Sequence, residues 1–326
     1  MNDKLGRLVK IQEILRITDE GGSFYFQYPP FIKVAADGTI FVYDQDELLR
    51  FDQNGKFLHN YYKKGQGPGE LNYVRNYTFQ DDRLIVHSAN PNKIVWFNFD
   101  GTLIKDQKIF DVPGSIKFQL LKNSTYYFWK FEFPARTGKP TTVDIPQVLV
   151  AVDQDGKVIE DLVSFPIKSY VMGGALVQYS TMRSVPYKNR HIFITHTREY
   201  SVKLFDTQSK KVLRTFNRAY KRVKTPKDHQ GAAIVFEGKR YGPEQEKYLN
   251  DINNLFIFNE LLWVVTSTKD KENRPLIDVF DFDGRYLDSF YLDVTGTLIA
   301  THRNMLFVRE KEEDELIHLV IYEVID

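Results

Sequence analysis

Apolar and polar residues alternate along most of this chain with a period of two, in short runs separated by turn-forming residues. That period predicts β-strands with one face buried. One phrase recurs: a strand, a tight turn carrying Asp or Asn and usually Gly, and a second strand. It reads LLRFDQNGKFLHNYY at 48–62, IVWFNFDGTLIKDQKI at 94–109, VLVAVDQDGKVIEDLV at 148–163, SVKLFDTQSKKVLRTF at 201–216 and LIDVFDFDGRYLDSFYL at 276–292. The turns DQNG, NFDG, DQDG and DFDG suit hairpins that need a residue at positive φ, which glycine adopts without steric cost. DTQSKK at 206–211 is the degenerate copy.

A second hairpin precedes each such phrase, at FIKVAADGTIFVYD (31–44), NYTFQDDRLIVHS (76–88), FQLLKNSTYYFWK (118–130), TMRSVPYKNRHIFITH (181–196) and LFIFNELLWVVT (255–266), and a sixth stands at TLIATHRNMLFVRE (297–310). Four-stranded units recurring every ~40 to 50 residues predict a six-bladed β-propeller, with strands A to D running from the centre outwards. The blades are expected at about 31–62, 73–109, 116–165, 176–217, 251–292 and 296–326, all within one domain spanning 1–326. The register aligns Phe41, Ile85, Phe128, Phe193, Trp263 and Phe307 as large residues filling the space between blades.

The sixth blade has a strand C, LIHLVIYEV (316–324), with no strand D behind it. LVKIQEILRI (8–17) has strand-like chemistry and is expected to pair outside that strand, closing the ring and covering an open edge. A helix over the same residues is the competing reading.

Composition narrows the function classes. The 326 residues are 42% hydrophobic and 14% aromatic, including 25 Phe and 19 Tyr, which suits a large β-sheet core. Lys plus Arg (44) balances Asp plus Glu (43), so no global field favours nucleic acid. The absence of cysteine excludes disulfides, thiolate metal sites and a cysteine nucleophile. No stretch approaches the ~20 apolar residues of a helical membrane span. Either the protein is cytoplasmic, or an export signal preceded Met1.

The connection after the first blade reads KKGQGPGELNYV (63–74) and leads into LIVHSANPNKIVWFNFDGTLI (84–104). This resembles the NHL-repeat pattern, in which a G-x-G-P-G-x-[FL] loop leads into strands closed by a phrase such as I-x-x-F-D-x-D-G. With the later GPEQEKY at 242–248, the chain is similar to the six-bladed β-propeller proteins of Bacteroidetes envelopes. The resemblance covers almost the whole chain and implies a periplasmic or envelope setting. It implies no particular activity, because fold does not fix function. Gly65, Gly67, Pro68 and Gly69 read as a shaped inter-blade loop, with a backbone anion nest as the functional alternative.

Propeller ligands bind at the channel mouth, on the D-to-A and B-to-C connections. Strand-B ends place Asp44, Ser88, Lys130, His196, Thr266 and Glu310 there. The candidate ligand-binding residues are Glu70, Tyr73, Arg75, His196, Arg198 and Arg222. No cofactor is expected. A divalent metal held by His87, His196 and His229 is the weak alternative, and a lactonase-like calcium site would draw on Glu70, Asn72, Asp44 and Glu310. The DQDG and DFDG turns lack the remaining ligands of an EF-hand and read as hairpin turns.

Two insertions break the repeat: FEFPARTGKPTTVDIP (131–146), read as a loop between strands B and C of blade 3, and about 217–251 between blades 4 and 5. The second carries Arg218, Lys221, Arg222, Lys224 and Lys227 against Asp228, a patch for a carboxylate, phosphate or acidic partner, or a solvated loop. REKEEDE (309–315) reads as a solubilising turn. Tyr73, Tyr170, Tyr200 and Tyr241 are candidate exposed aromatics. The expected function is a non-catalytic binding or scaffold module for a protein, peptide or small glycan-like ligand. The rival is a metal-assisted hydrolase or lyase at the channel.

Overall fold

The alternating runs form six blade sheets and one separate two-stranded hairpin in the computed structural model, which describes residues 7–18, 22–28, 31–109, 117–121, 125–131, 139–153, 155–188, 190–229, 231, 233–242, 246–312 and 316–325. Strands A to D of blade 1 are Phe31–Val34, Ile40–Asp44, Glu47–Phe51 and Phe57–Asn60; those of blade 2 are Tyr73–Gln80, Arg83–Ala89, Lys93–Asn98 and Leu103–Lys108. Blade 3 comprises Lys117–Leu121, Thr125–Phe131, Thr141–Val152 and Val158–Met172, with a fifth strand, Ala175–Gln178. Blade 4 comprises Met182–Tyr187, His191–His196, Ser201–Asp206 and Lys211–Asn217, and blade 5 comprises Ile252–Phe258, Leu261–Lys269, Pro275–Phe280 and Tyr286–Leu292. Blade 6 contributes Thr297–His302, Met305–Lys311 and Ile317–Val324.

The missing outer strand comes from the other end of the chain. Ile11–Ile17 pairs antiparallel with Ile317–Val324, from Ile11 opposite Val324 to Ile17 opposite Leu319. The expected strand over 8–17 divides at Lys10, because Arg7–Val9 runs parallel to the outer strand of blade 5, with Val9 opposite Leu292. The N-terminal segment thus satisfies the backbone groups of two sheet edges rather than one. Val9 and Ile17 are each 2% exposed, so both halves of the segment are anchored by an apolar side chain.

The turn carboxylates hold their own backbones. Asp52 Oδ1 accepts from the amides of Asn54 and Lys56, Asp153 Oδ1 from those of Asp155 and Lys157, and Asp281 Oδ1 from those of Asp283 and Arg285. These are Asx turns, and Gly156 and Gly284 follow at φ of 80° and 85°, where a side chain would be strained.

A separate apolar core fills each of the six wedges between adjacent blades. Phe41, Ile85, Phe193, Trp263 and Phe307 each face the next blade, as the register predicts. Phe128 does not: it joins the core shared with blade 2, and Tyr127, opposite Ala151, packs toward blade 4 in its place. The alignment is out by one residue there, and a slip of one reverses the face.

Blade 3 also departs from the loop expected over 131–146. Residues 132–138 lie outside the described residues, but Thr141–Pro146 is strand, paired with Pro166–Val171. Strand D continues past the expected end at 165 to Met172, and the sheet ends only at Gln178. Pro146 and Pro166, neither of which has an amide proton to donate, lie opposite each other, so both missing donors fall on a single rung of the ladder. In the connection between blades 4 and 5, Ile234–Phe236 and Lys239–Tyr241 form the separate hairpin.

Candidate functional site

Because neighbouring strands within a blade are antiparallel, the ends of strands B and D lie on one face of the propeller, around the mouth of the central channel. The inner strands of blades 2 and 3, 4 and 5, 5 and 6, and 6 and 1 lie against each other around that channel. Their sequences are FIKV, YVRNYTFQ, KFQLL, MRSVPY, INNLFIF and TLIATH, and none contains Asp or Glu. Four cations stand on them, Lys33, Arg75, Lys117 and Arg183, and the side chains described are those of Lys33, Arg75 and Arg183.

Each is placed by the strand that carries it. Lys33 donates to the Tyr77 carbonyl across the blade 1–2 boundary and sits over the Tyr77 ring. Burial pushes its pKa down to about 8. Arg183 Nε donates to the Asn253 carbonyl at 3.0 Å across the blade 4–5 boundary, and burial lowers its pKa while leaving it charged. Both side chains are half-buried. Arg75 is the extra residue of a β-bulge between Val74 and Asn76, and its guanidinium lies 5.8 Å from the centroid of Tyr73, which is 56% exposed. Bulges re-aim side chains, and Asn253 occupies the equivalent bulge in blade 5.

The GQGPGE loop closes on itself. Glu70 accepts from the Gly67 amide at 2.9 Å and pairs with Lys63 at 3.2 Å, and these groups, the amide first, hold its carboxyl below the usual range. A Cβ on Gly65 would lie 2.0 Å from Glu70 Oε2. Lys93, 1% exposed, donates to the Gly67 carbonyl and to Asp106, which also accepts from the Gly69 amide. Glu70 and the glycine amides are thus occupied in shaping the loop.

The other candidates gather over blade 4. His196 Nε2 lies 2.8 Å from Ser180 Oγ, and burial lowers its pKa. A Ser–His contact invites a nucleophilic reading, but Ser180 is 4% exposed, leaving no room for a substrate carbonyl. Arg198 pairs with Glu246, and Glu246 lies 4.0 Å from Lys168 on the extended hairpin of blade 3. Arg222 donates to Asp251 at 2.8 Å and to the Arg198 carbonyl at 3.1 Å. Strand Ala175–Gln178 touches Ile234–Phe236, so the two insertions dock on each other. Of the basic residues over 218–227, Arg218 and Arg222 are committed to the buried carboxylates of Asp278 and Asp251.

The three histidines proposed as a metal set lie in separate settings. His87 is fully buried, edge-on to Phe128 at 5.0 Å, and donates through Nε2 to Asn92 Oδ1 at 2.7 Å. His229 stands on the exposed connection between blades 4 and 5. Of the calcium candidates, Asp44 accepts the amides of Gln27 and Tyr28, Asn72 donates to the Asn90 carbonyl, and Glu310 accepts from Tyr322 and Thr295. Among the described residues no three His, Asp or Glu side chains are grouped to hold a metal ion. Tyr200, read as exposed, is 8% exposed and donates to Asp278.

Of these inner-strand cations, the sequence reading nominated Arg75 as a ligand-binding candidate and did not nominate Lys33 or Arg183. The missed signal is compositional: in a chain with balanced charge, the inner strands carry cations and no acids.

Among curated proteins none matches the chain. Two solved structures share its architecture. One is a protein from Bacteroides fragilis provisionally described as exported, with 12% identity over 98% of this chain and 96% of that chain and a TM-score of 0.63. The other is a member of the DUF4221 family from Bacteroides vulgatus, with 11% identity over 98% of this chain and 99% of that chain and a TM-score of 0.59. At such identities the likeness concerns the fold. The DUF5128 family, described as a 6-bladed β-propeller, matches residues 21–255, and the chain belongs to that family.

Proposed function

We propose that the protein is a non-catalytic binding module that takes a small carboxylate-bearing, glycan-like ligand at the mouth of its central channel. The observation that carries this reading is the one-sided charge of the inner strands: Lys33, Arg75, Lys117 and Arg183, and no Asp or Glu. A cation in a narrow, protein-walled channel attracts an anion more strongly than the same cation on an open surface, because less water screens it. Arg75 beside the exposed Tyr73 ring offers a sugar or planar acid an apolar face next to a charge. A periplasmic or envelope setting belongs to the same reading. It is supported by the similar Bacteroides fragilis structure, described as exported.

The test is calorimetric titration with uronic-acid oligosaccharides, citrate and inorganic phosphate, against a neutral oligosaccharide of the same length. Saturable binding of the acids that weakens with added salt, and disappears in the Arg75→Gln/Arg183→Gln double variant, is expected. Equal binding of the neutral oligosaccharide, or unchanged binding by the double variant, would remove this reading.

A further inference from the structure

A second site lies on the opposite face, where the A–B and C–D turns emerge. Between blades 6 and 1 a cavity of about 420 Å³ is floored by Leu15, Ile40, Met305, Phe307 and Ile321. Its rim is polar: Asp37 from the A–B turn of blade 1, Gln53 and Asn54 from the C–D turn of that blade, His302 from the end of strand A of blade 6 and Arg303 from the turn that follows it. This volume falls within the roughly 300–1,000 Å³ of small-molecule sites, and an apolar floor under a few polar groups is their usual composition.

Three features suit a ligand carrying both charges. Asp37 uses Oδ1 to accept from the amide and hydroxyl of Thr39, while Oδ2 lies 4.0 Å from Arg50 Nη2 and the side chain is 49% exposed. Arg303, held at φ 53° by its turn, is exposed and makes no ion pair among the described residues. His302 Nε2 is buried without a hydrogen-bond partner, a cost that a bound polar group would relieve. The fourth wall is the closing strand itself. Register shifts between Glu13 and Leu15, and the bulged residue, Ile14, lines the cavity with 48% of its surface exposed.

We propose that this cavity binds a small zwitterion with an apolar side chain, a hydrophobic α-amino acid or a short peptide with free termini. Asp37 takes the ammonium, Arg303 the carboxylate, and the floor the side chain. Arg303 can grip a carboxylate bidentately, whereas a ligand lacking either charge forfeits a charge-assisted bond. Ile14 and Leu15 belong to the strand that closes the ring, so a site completed only in the closed ring binds the folded state alone, and the melting temperature rises with the logarithm of ligand concentration above Kd.

The experiment is calorimetry and thermal unfolding with L-leucine, L-methionine and L-phenylalanine. The controls are 4-methylpentanoate, which lacks the ammonium, and 3-methylbutylamine, which lacks the carboxylate. Leucyl-leucine, with and without an N-acetyl or C-amide block, separates peptide from free amino acid. Binding of at least one zwitterion is expected, with a loss of about tenfold or more for each control and in both Asp37→Asn and Arg303→Asn. Asn at 303 tolerates the left-handed turn, and the ligand controls read out on the unaltered protein. No saturable binding by any amino acid or dipeptide, equal binding of both controls, or wild-type affinity in both variants would overturn the proposal.

Discussion

Arg218 donates through Nε to Asp278 Oδ2 at 2.6 Å, and the carboxylate it meets is wholly buried between blades 4 and 5. Tyr200 donates to the same oxygen at 2.5 Å and Ser289 to the other at 2.8 Å, so every strong partner of the charge is a named side chain. Arg218 begins the long connection between blades 4 and 5. The ion pair therefore anchors the start of that connection.

Removing the cation alone leaves a buried charge with only neutral donors. Arg218→Met is expected to destabilise the fold by about 3–5 kcal/mol, and Arg218→Met combined with Asp278→Asn to recover part of that loss. Urea unfolding of the three variants and the wild type measures both. A double variant no more stable than the single would show that Asp278 carries no net charge penalty.

The two halves of the N-terminal segment separate by truncation. Deleting residues 1–10 uncovers one edge of blade 5 and is expected to lower the melting temperature modestly, whereas deletion through 18 opens the ring at blade 6 and prevents cooperative unfolding. Calorimetric scans of both truncations decide it. An unchanged melting temperature after the longer deletion would refute closure by this strand.

Acid should act through His87. Burial pushes its pKa down from 6.5 to about 4, so the folded protein binds that proton more weakly than the unfolded chain. The associated stability is complete above about pH 6.5, declines as pH falls, and is lost below about 4, a span on the order of 3 kcal/mol. His87→Gln is expected to flatten this part of the stability profile relative to wild type. Parallel profiles from neutral pH to pH 4 would contradict it.

Lys33 gives the channel a titratable cation. With its pKa pushed down to about 8, anion binding at the mouth is expected to weaken as pH rises through that value, since the arginines stay charged. Lys33→Met should abolish this step and weaken anion affinity at neutral pH by about tenfold, at little or no cost in stability because it relieves a buried charge. Titration of citrate binding against pH in both proteins tests it.

The extended hairpin of blade 3 shows how local signals can mislead. Pro146 and Pro166 each argue against a strand when read alone, and only their pairing across the ladder makes 141–152 and 158–172 compatible with one. Phe128 and Tyr127 show the same limit, because two adjacent aromatics in TYYFWK fit either face and the pairing of Tyr127 with Ala151 chooses between them.

The repeated hairpins, their Asp–Gly turns and the missing sixth outer strand are local or counting properties, so the sequence alone determined the six-bladed architecture and where the ring closes. Which side chains meet is not local. Arg222 and Arg198 read as free cations until residues distant in the chain deliver Asp251 and Glu246 to them. Lys33, Arg75 and Arg183, scattered over three blades, become one channel lining only when the inner strands surround a common axis. Asp37 and Arg303, far apart in the chain, come to share a cavity because ring closure sets blade 6 beside blade 1. Strand formation follows from nearest-neighbour pattern and turn chemistry, whereas a site depends on long-range packing that only the closed ring supplies.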